Sequence, residues 1–197
     1  KKKIESKNDW FFKGSPLLYF IATYAAFMIV PLGLVAFNYD FIFLIYITIL
    51  ASAFYTLAGV SSDSPYSIIS SMREMVLMVC YEITLAITVF TFILYSNTLT
   101  MSSIQPLSII GLPLAAACLI GVAMTEIKIT PFDSPEAETE ILPGIDTEYS
   151  GKNLFLLDWA KSMKMLFYVL LLPMLFVGLQ NILLFLLVAG IIFFAIA

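Results

Sequence analysis

The chain has no histidine and only two cysteines, and charged residues fill just 12% of its 197 positions. Without histidine it lacks the commonest ligand of haem, zinc and acid–base sites. Cys80 and Cys118 stand alone in apolar segments without C-x-x-C spacing, so neither suits a zinc or cluster site. A chain with no metal or cofactor of its own is expected, any iron–sulfur chemistry belonging to a partner. Ten Lys and Arg face fourteen Asp and Glu, a net charge of -4, and beyond the opening lysines there is no basic patch for nucleic acid.

What is abundant is apolar. Hydrophobic residues make up 61% of the chain and the mean hydropathy is +0.98, which excludes an ordinary water-soluble domain. The pattern predicts an all-α polytopic membrane bundle, a single domain over 1–197, with about six membrane segments. These fall near Pro16–Phe37, Phe41–Val60, Met72–Tyr95, Ile104–Thr125, Met165–Val177 and Ile182–Ala197. Pro31, Pro113 and Pro173 lie within segments, where neighbouring helices must satisfy the freed carbonyls. The charged start and the apolar end are read as those of an ordered part of a longer chain, with a membrane helix expected before Lys1.

Charge sets the topology. All ten cations, Lys1, Lys2, Lys3, Lys7, Lys13, Arg73, Lys128, Lys152, Lys161 and Lys164, fall on one side of this arrangement. The connections "NYD", "SNTLTMSS" and "GLQN" on the other side contain none. The positive-inside rule places the opening, the 61–71 loop and the stretch 126–164 in the cytoplasm of a multi-pass cell-membrane protein, with Trp10 and Trp159 as interfacial anchors.

Six of the fourteen acids, Asp133, Glu136, Glu138, Glu140, Asp146 and Glu148, crowd into "KITPFDSPEAETEILPGIDTEYSG", residues 128–151. Loops as long as 126–151 are usually functional or disordered. Pro131 and Pro135 stiffen this one, and Ser134 with Pro135 suits the start of a short helix sharing Glu136 and Glu140 on one face. A solvated acidic face is the plain alternative. Beyond it, "NLFLLDWAKSMK" carries Asp158, Lys161 and Ser162 as a polar stripe, which suits an interfacial amphipathic helix at 152–164 or a helix end with a snorkelling lysine.

Inside the membrane two acids stand out. Glu82 lies ten residues beyond Met72, about 15 Å into the hydrocarbon, where an ionised acid costs about 2.5–3.5 kcal/mol or more. Glu74, Met78 and Glu82 share one helix face, whereas Arg73 points elsewhere, so Glu82 has no local cation. It is either a proton carrier or a protonated acid hydrogen-bonded to a neighbouring helix. Glu126 closes the fourth segment and leads into the acidic loop.

"PFDSPEAETEILPGIDTEYSG" closely resembles a motif of one family. This is the membrane subunit that joins the redox arm to the ion pumps in respiratory complex I, where it is called subunit one, and in energy-converting membrane-bound [NiFe]-hydrogenases. "AGVSSDSPYSIISSMREMVLMVCYEITLAI" is similar to a second stretch of that family, with Arg73, Tyr81 and Glu82 at the same spacing. The resemblance spans essentially the whole chain. It implies an ion or proton path through Glu82 and Glu126, with Glu74 and Asp158 beside it. It also implies a docking and coupling loop formed by Arg73, Asp133, Glu136, Glu138, Glu140, Asp146, Glu148 and Tyr149.

Lys128 and Ile129 replace the Asn-Arg usual in complex I, and Glu74, Leu77 and Cys80 replace small residues and a Gln. These departures favour the hydrogenase branch or its sulfur-reducing relatives. The partners implied are hydrophilic large and small subunits with [4Fe-4S] clusters and a NiFe centre, antiporter-like membrane subunits and the lipid bilayer. The quinone-cavity subunit of a complex I-type NADH or ferredoxin dehydrogenase is the alternative. An autonomous cation transporter and a purely structural dock are further rivals. The chain alone is expected to carry no catalytic residue.

Overall fold

The computed structural model describes residues 9–29, 39–100, 111–129, 132, 144–177 and 182–196. Among them are six α-helices and no strand: α1 (Asp9–Ile29), α2 (Asp40–Val60), α3 (Pro65–Ser96), α4 (Pro113–Ile127), α5 (Lys152–Val177) and α6 (Ile182–Ile196). A 3-10 turn, Ile145–Glu148, precedes α5. The chain folds as the all-α bundle that its composition predicts. By length and composition, α1 from Trp10, α2 and α3 can each cross a membrane, and α4 is a shorter apolar helix.

Several boundaries differ from the sequence expectation. α3 starts at Pro65, inside the stretch expected as the 61–71 loop and before the expected Met72, with Pro65 suited to a first helical turn. The fourth segment, expected over 104–125 with Pro113 inside it, lies outside the described residues up to 110. Gly111 is helical, and after Leu112 Pro113 opens α4, where its missing N–H is no loss because the first helical turn has no acceptor for it. The first helix begins at Asp9, with Pro16 inside it. The stretches 152–164 and 165–177, separate in the sequence pattern, form one unbroken 26-residue helix, since nothing between them stops a helix. Its inward side carries Leu157, Ala160, Lys164, Phe167, Tyr168, Leu171 and Leu175.

Packing explains the order of the bundle. α1 lies against α2 and α5, α2 against α3, α3 against α4, and α5 also against α4 and α6. Lipid offers no hydrophobic drive between helices, so close approach and polar ties must hold them together. Small residues permit that approach: Ala22 and Ala26 of α1 and Ala51 and Ala58 of α2 are buried. The main core joins Phe41, Leu44, Leu85, Phe92, Leu119, Phe167 and Leu171. A second core, at the end of the bundle nearest the 3-10 turn, joins Tyr19, Tyr55, Ile145, Tyr149 and Leu157. Outward, α3 shows Val76, Val79, Ile83, Ile87, Phe90 and Leu94 at helical spacing, an exposed apolar stripe suited to hydrocarbon or further protein.

Candidate functional site: a buried acid–lysine network

The turn between α2 and α3 forms a notch that receives the end of the acidic loop. Ile145 is buried against Gly59, where an added Cβ would come within 2.8 Å of Ile145 Cγ1 and of Ser71 Cβ. The Gly59 carbonyl accepts hydrogen bonds from Ser62 Oγ (2.8 Å) and Ser67 Oγ (3.2 Å). Four residues on from Ile145, the Tyr149 hydroxyl donates to the Ala58 carbonyl at 3.0 Å and lies 3.3 Å from Ser15 Oγ. The Tyr149 ring stacks on Phe12 with centroids 4.4 Å apart. Burial, with the nearby Asp146 and Glu148 charges adding to it, pushes the Tyr149 hydroxyl up to about 12. It therefore stays protonated at neutral pH and remains a donor.

Gly59→Ala tests this notch. In an open helix the change would stabilise by about 1 kcal/mol. Here the expected result is a loss of about 1–3 kcal/mol through overpacking, read as a lower melting temperature of the detergent-purified protein. An unchanged or higher melting temperature would show that Ile145 is not seated there.

Beneath the notch, three acids meet three lysines. Asp146 of the 3-10 turn pairs with Lys161 of α5, and both are partly exposed. Glu126 of α4 pairs with Lys164 of α5, and their side chains are only 2% and 10% exposed. Glu74 of α3 pairs with Lys128 at 3.4 Å, with 4% and 10% exposure. Tyr168, one turn along α5 from Lys164, donates its hydroxyl to Glu126 Oε1 at 3.1 Å. The Tyr55 ring lies among these charges, with the Lys128 ammonium 4.0 Å from its centroid and that of Lys161 at 5.5 Å.

A cavity of about 40 Å³ joins the three lysines with Glu74 and Glu126. Tyr19, Tyr55, Glu74, Glu126, Lys128, Lys161 and Lys164 line it with Ile127. Its size and polar lining suit ordered water. Buried charges persist only when compensated, and each acid of the network has a lysine as its ion-pair partner, so the three pairs carry no net charge.

Lys128 contributes through its backbone as well. It ends α4 in the left-handed region (φ 60°, ψ 45°), while its N–H bonds the Thr125 carbonyl at 3.2 Å and that of Ile129 bonds Met124 at 3.1 Å. Such a conformation is uncommon for a residue with a Cβ. It brings the side chain from the end of α4 back toward Glu74 on α3.

Deeper in the bundle, Glu82 lies in the middle of α3, two turns beyond Glu74 on the same side. It is half-buried, and its partner is the Ser52 hydroxyl of α2, which donates to Oε1. Next to it, the hydroxyl of Tyr81 is buried without a hydrogen-bond partner. Tyr81 also lines a groove of about 250 Å³ between α3 and α4, with Leu77, Cys80, Thr84, Cys118 and Phe132 along its walls. Among the described residues no cluster of His, Cys, Asp and Glu could hold a metal ion.

The chain is similar along its whole length to one known family. The family model described as NADH dehydrogenase matches residues 1–197, the full length of the chain. The chain belongs to that NADH dehydrogenase family. A relative from Dehalococcoides mccartyi, an NADH-quinone oxidoreductase subunit, is 32% identical over 158 residues, covering 75% of this chain and 45% of the relative. The corresponding NADH-quinone oxidoreductase subunit of Carboxydothermus hydrogenoformans is 29% identical over 180 residues, covering 87% and 51%. "NADH-ubiquinone oxidoreductase chain 1" of Hyaloraphidium curvatum is 29% identical over 183 residues, covering 88% and 62%. The chain spans about half the length of the curated relatives it matches.

The residues singled out in this NADH dehydrogenase family member separate into groups. Glu74, Glu126 and Asp146 are brought into one network, and Glu82 sits deeper on the Glu74 side of α3. Glu148 is half-buried and Tyr149 is locked into the notch. Arg73 is exposed. Asp158 is exposed and does not line the cavity, because the inward face of α5 runs through Leu157, Ala160, Lys161 and Lys164. Asp133, Glu136, Glu138 and Glu140 lie outside the described residues, as does the short helix expected at Ser134.

The lysines of the network escape a reading of the sequence. There Lys128, Lys161 and Lys164 orient the chain. Lys128 also marks a departure from the complex I pattern, and Lys161 belongs to the polar stripe of 152–164, with a snorkelling lysine as one reading of that stretch. None is read as a partner of a buried acid. The available signal was the i, i+3 spacing of Lys161 and Lys164 on the side of α5 that also carries Leu157 and Ala160.

Proposed function

We propose that the chain is the membrane subunit of a complex I-type NADH-quinone oxidoreductase, docking a hydrophilic redox arm and coupling its electron transfer to proton or sodium movement. The observation that carries this reading is the continuity of the charge network. It runs from Asp146, at the end of the acidic loop, through Lys161 and the shared cavity to Glu126 and Glu74, with Glu82 farther along α3. The relatives, subunits of NADH-quinone and NADH-ubiquinone oxidoreductases, support the same reading. On it, the acidic loop and Arg73 meet hydrophilic subunits bearing [4Fe-4S] clusters, and antiporter-like membrane subunits lie alongside. The lysine-rich end of the bundle is cytoplasmic by the positive-inside rule.

A ferredoxin-dependent [NiFe]-hydrogenase, or a sulfur-reducing relative, is the second reading. The observation in its favour is that Glu74 and Lys128, two departures from the complex I pattern, are partners in one ion pair. The relatives favour the first. Purifying the native assembly through a tag on this chain decides between them. Quinone reduction from NADH or ferredoxin, blocked by quinone-site inhibitors, is the expected result. Hydrogen evolution from ferredoxin without quinone reduction would overturn it in favour of the second.

A further inference from the structure

The buried hydroxyls of α2 mostly serve their own helix. Thr48 donates to the Leu44 and Ile45 carbonyls at 3.0 and 2.9 Å, and Thr56 donates to Ala53 at 2.9 Å. Such bonds to the preceding turn are the ordinary fate of Ser and Thr inside a helix. Ser52 has the same carbonyls in reach, Thr48 at 3.2 Å and Ile49 at 3.0 Å, and is only 1% exposed. It alone among these three also reaches an acid on another helix, Glu82 of α3.

A serine hydroxyl has one hydrogen to donate and lone pairs to accept with. Ser52 therefore has more acceptors than it can serve at once, and two complete arrangements follow. With Glu82 ionised, the Ser52 hydrogen points at the carboxylate. With Glu82 protonated, the carboxyl O–H donates to Ser52 Oγ, and the Ser52 hydrogen turns back to Thr48 or Ile49. The hydrogen on Ser52 never leaves it, so the proton taken up or released is Glu82's own. Rotation of one hydroxyl joins the two arrangements, with no movement of either helix.

We propose that Ser52 is the positioning residue for proton exchange at Glu82, keeping that carboxyl hydrogen-bonded in both its protonated and its ionised forms. The inference deepens the coupling role proposed above and rests on it. Thr48 and Thr56, one turn to either side on the same face of α2, do not take this part.

The test uses the intact complex in native membranes and two readouts, the infrared difference band of the Glu82 carboxyl and redox-driven ion transport. The band is assigned by its disappearance in Glu82→Gln. In Ser52→Ala the carboxyl loses its acceptor, so the band is expected at higher frequency. Transport is expected to fall by about tenfold, the factor a hydrogen bond to a charged group is worth. Ser52→Thr, which restores the hydroxyl, is expected to recover both.

If Ser52→Ala does not assemble, Ser52→Cys presents a weaker donor of similar shape, and the same direction of shift is expected. A band that stays in place overturns the proposal, even if transport falls, because Ser52 would then act only through packing. Absence of any Glu82 band from the difference spectrum overturns it as well. Should the unmutated complex show no redox-driven transport, the coupling reading fails, while the position of the band in Ser52→Ala still decides for or against the hydrogen bond.

Discussion

Replacing Lys164 by Met is expected to destabilise the detergent-solubilised protein by about 3–5 kcal/mol, the range found when one partner of a buried ion pair is removed. Methionine keeps most of the volume of lysine, so the loss comes from charge rather than from a cavity. What remains is the Glu126 carboxylate, 5% exposed, with the Tyr168 hydroxyl on one oxygen. One neutral donor does not compensate a buried charge. The expected measurement is a steep drop in melting temperature and in the yield of assembled protein.

Two companions separate this from a general sensitivity of α5. Lys161→Met also breaks an ion pair, but the Lys161–Asp146 pair is partly open to solvent, so at most about 1 kcal/mol is expected. The double variant Lys164→Met, Glu126→Gln should recover most of the stability. It leaves no charge to strand, and a glutamine oxygen can still accept from Tyr168. Replacing a buried pair by neutral groups is often close to neutral. A Lys164→Met protein that melts like the original would show that the lysine turns outward to the membrane surface.

That alternative explains why the sequence disclosed so little about Lys164. A lysine close to a helix–membrane boundary reads the same whether it reaches out to headgroups or folds inward. The choice is made by Glu126, which arrives from α4 and is remote in sequence. Glu74 and Glu82 were more legible. Their i, i+4, i+8 relation lies within one helix, and helical geometry alone puts them on one side, away from Arg73. The apolar segments were legible for the same local reason. The break at Leu112 (φ -134°, ψ 57°), just before Pro113 opens α4, was not, because apolar length runs straight through it. Ser52 was silent because a serine in a helix normally satisfies itself on the preceding turn.

Glu82→Gln carries the other large effect: electron transfer is expected to persist while redox-driven ion transport falls by about 100-fold or more, the usual scale for a positioned proton-transfer group. Glutamine has nearly the shape of glutamate, and its oxygen can accept the Ser52 hydrogen as the carboxylate does. The packing of α2 against α3 should therefore survive, and with it assembly and electron flow. What glutamine cannot do is take up or release a proton. An acid in the middle of a membrane-crossing helix is costly to maintain, and its partner here is a hydroxyl rather than a cation. A static tie between the two helices would be served equally well by an amide, so such a tie would leave transport unchanged in Glu82→Gln. Normal transport together with normal electron transfer would remove Glu82 from the coupling path and leave it a satisfied structural acid. Loss of both would instead assign it to the redox reaction or to assembly, which the yield of intact complex separates.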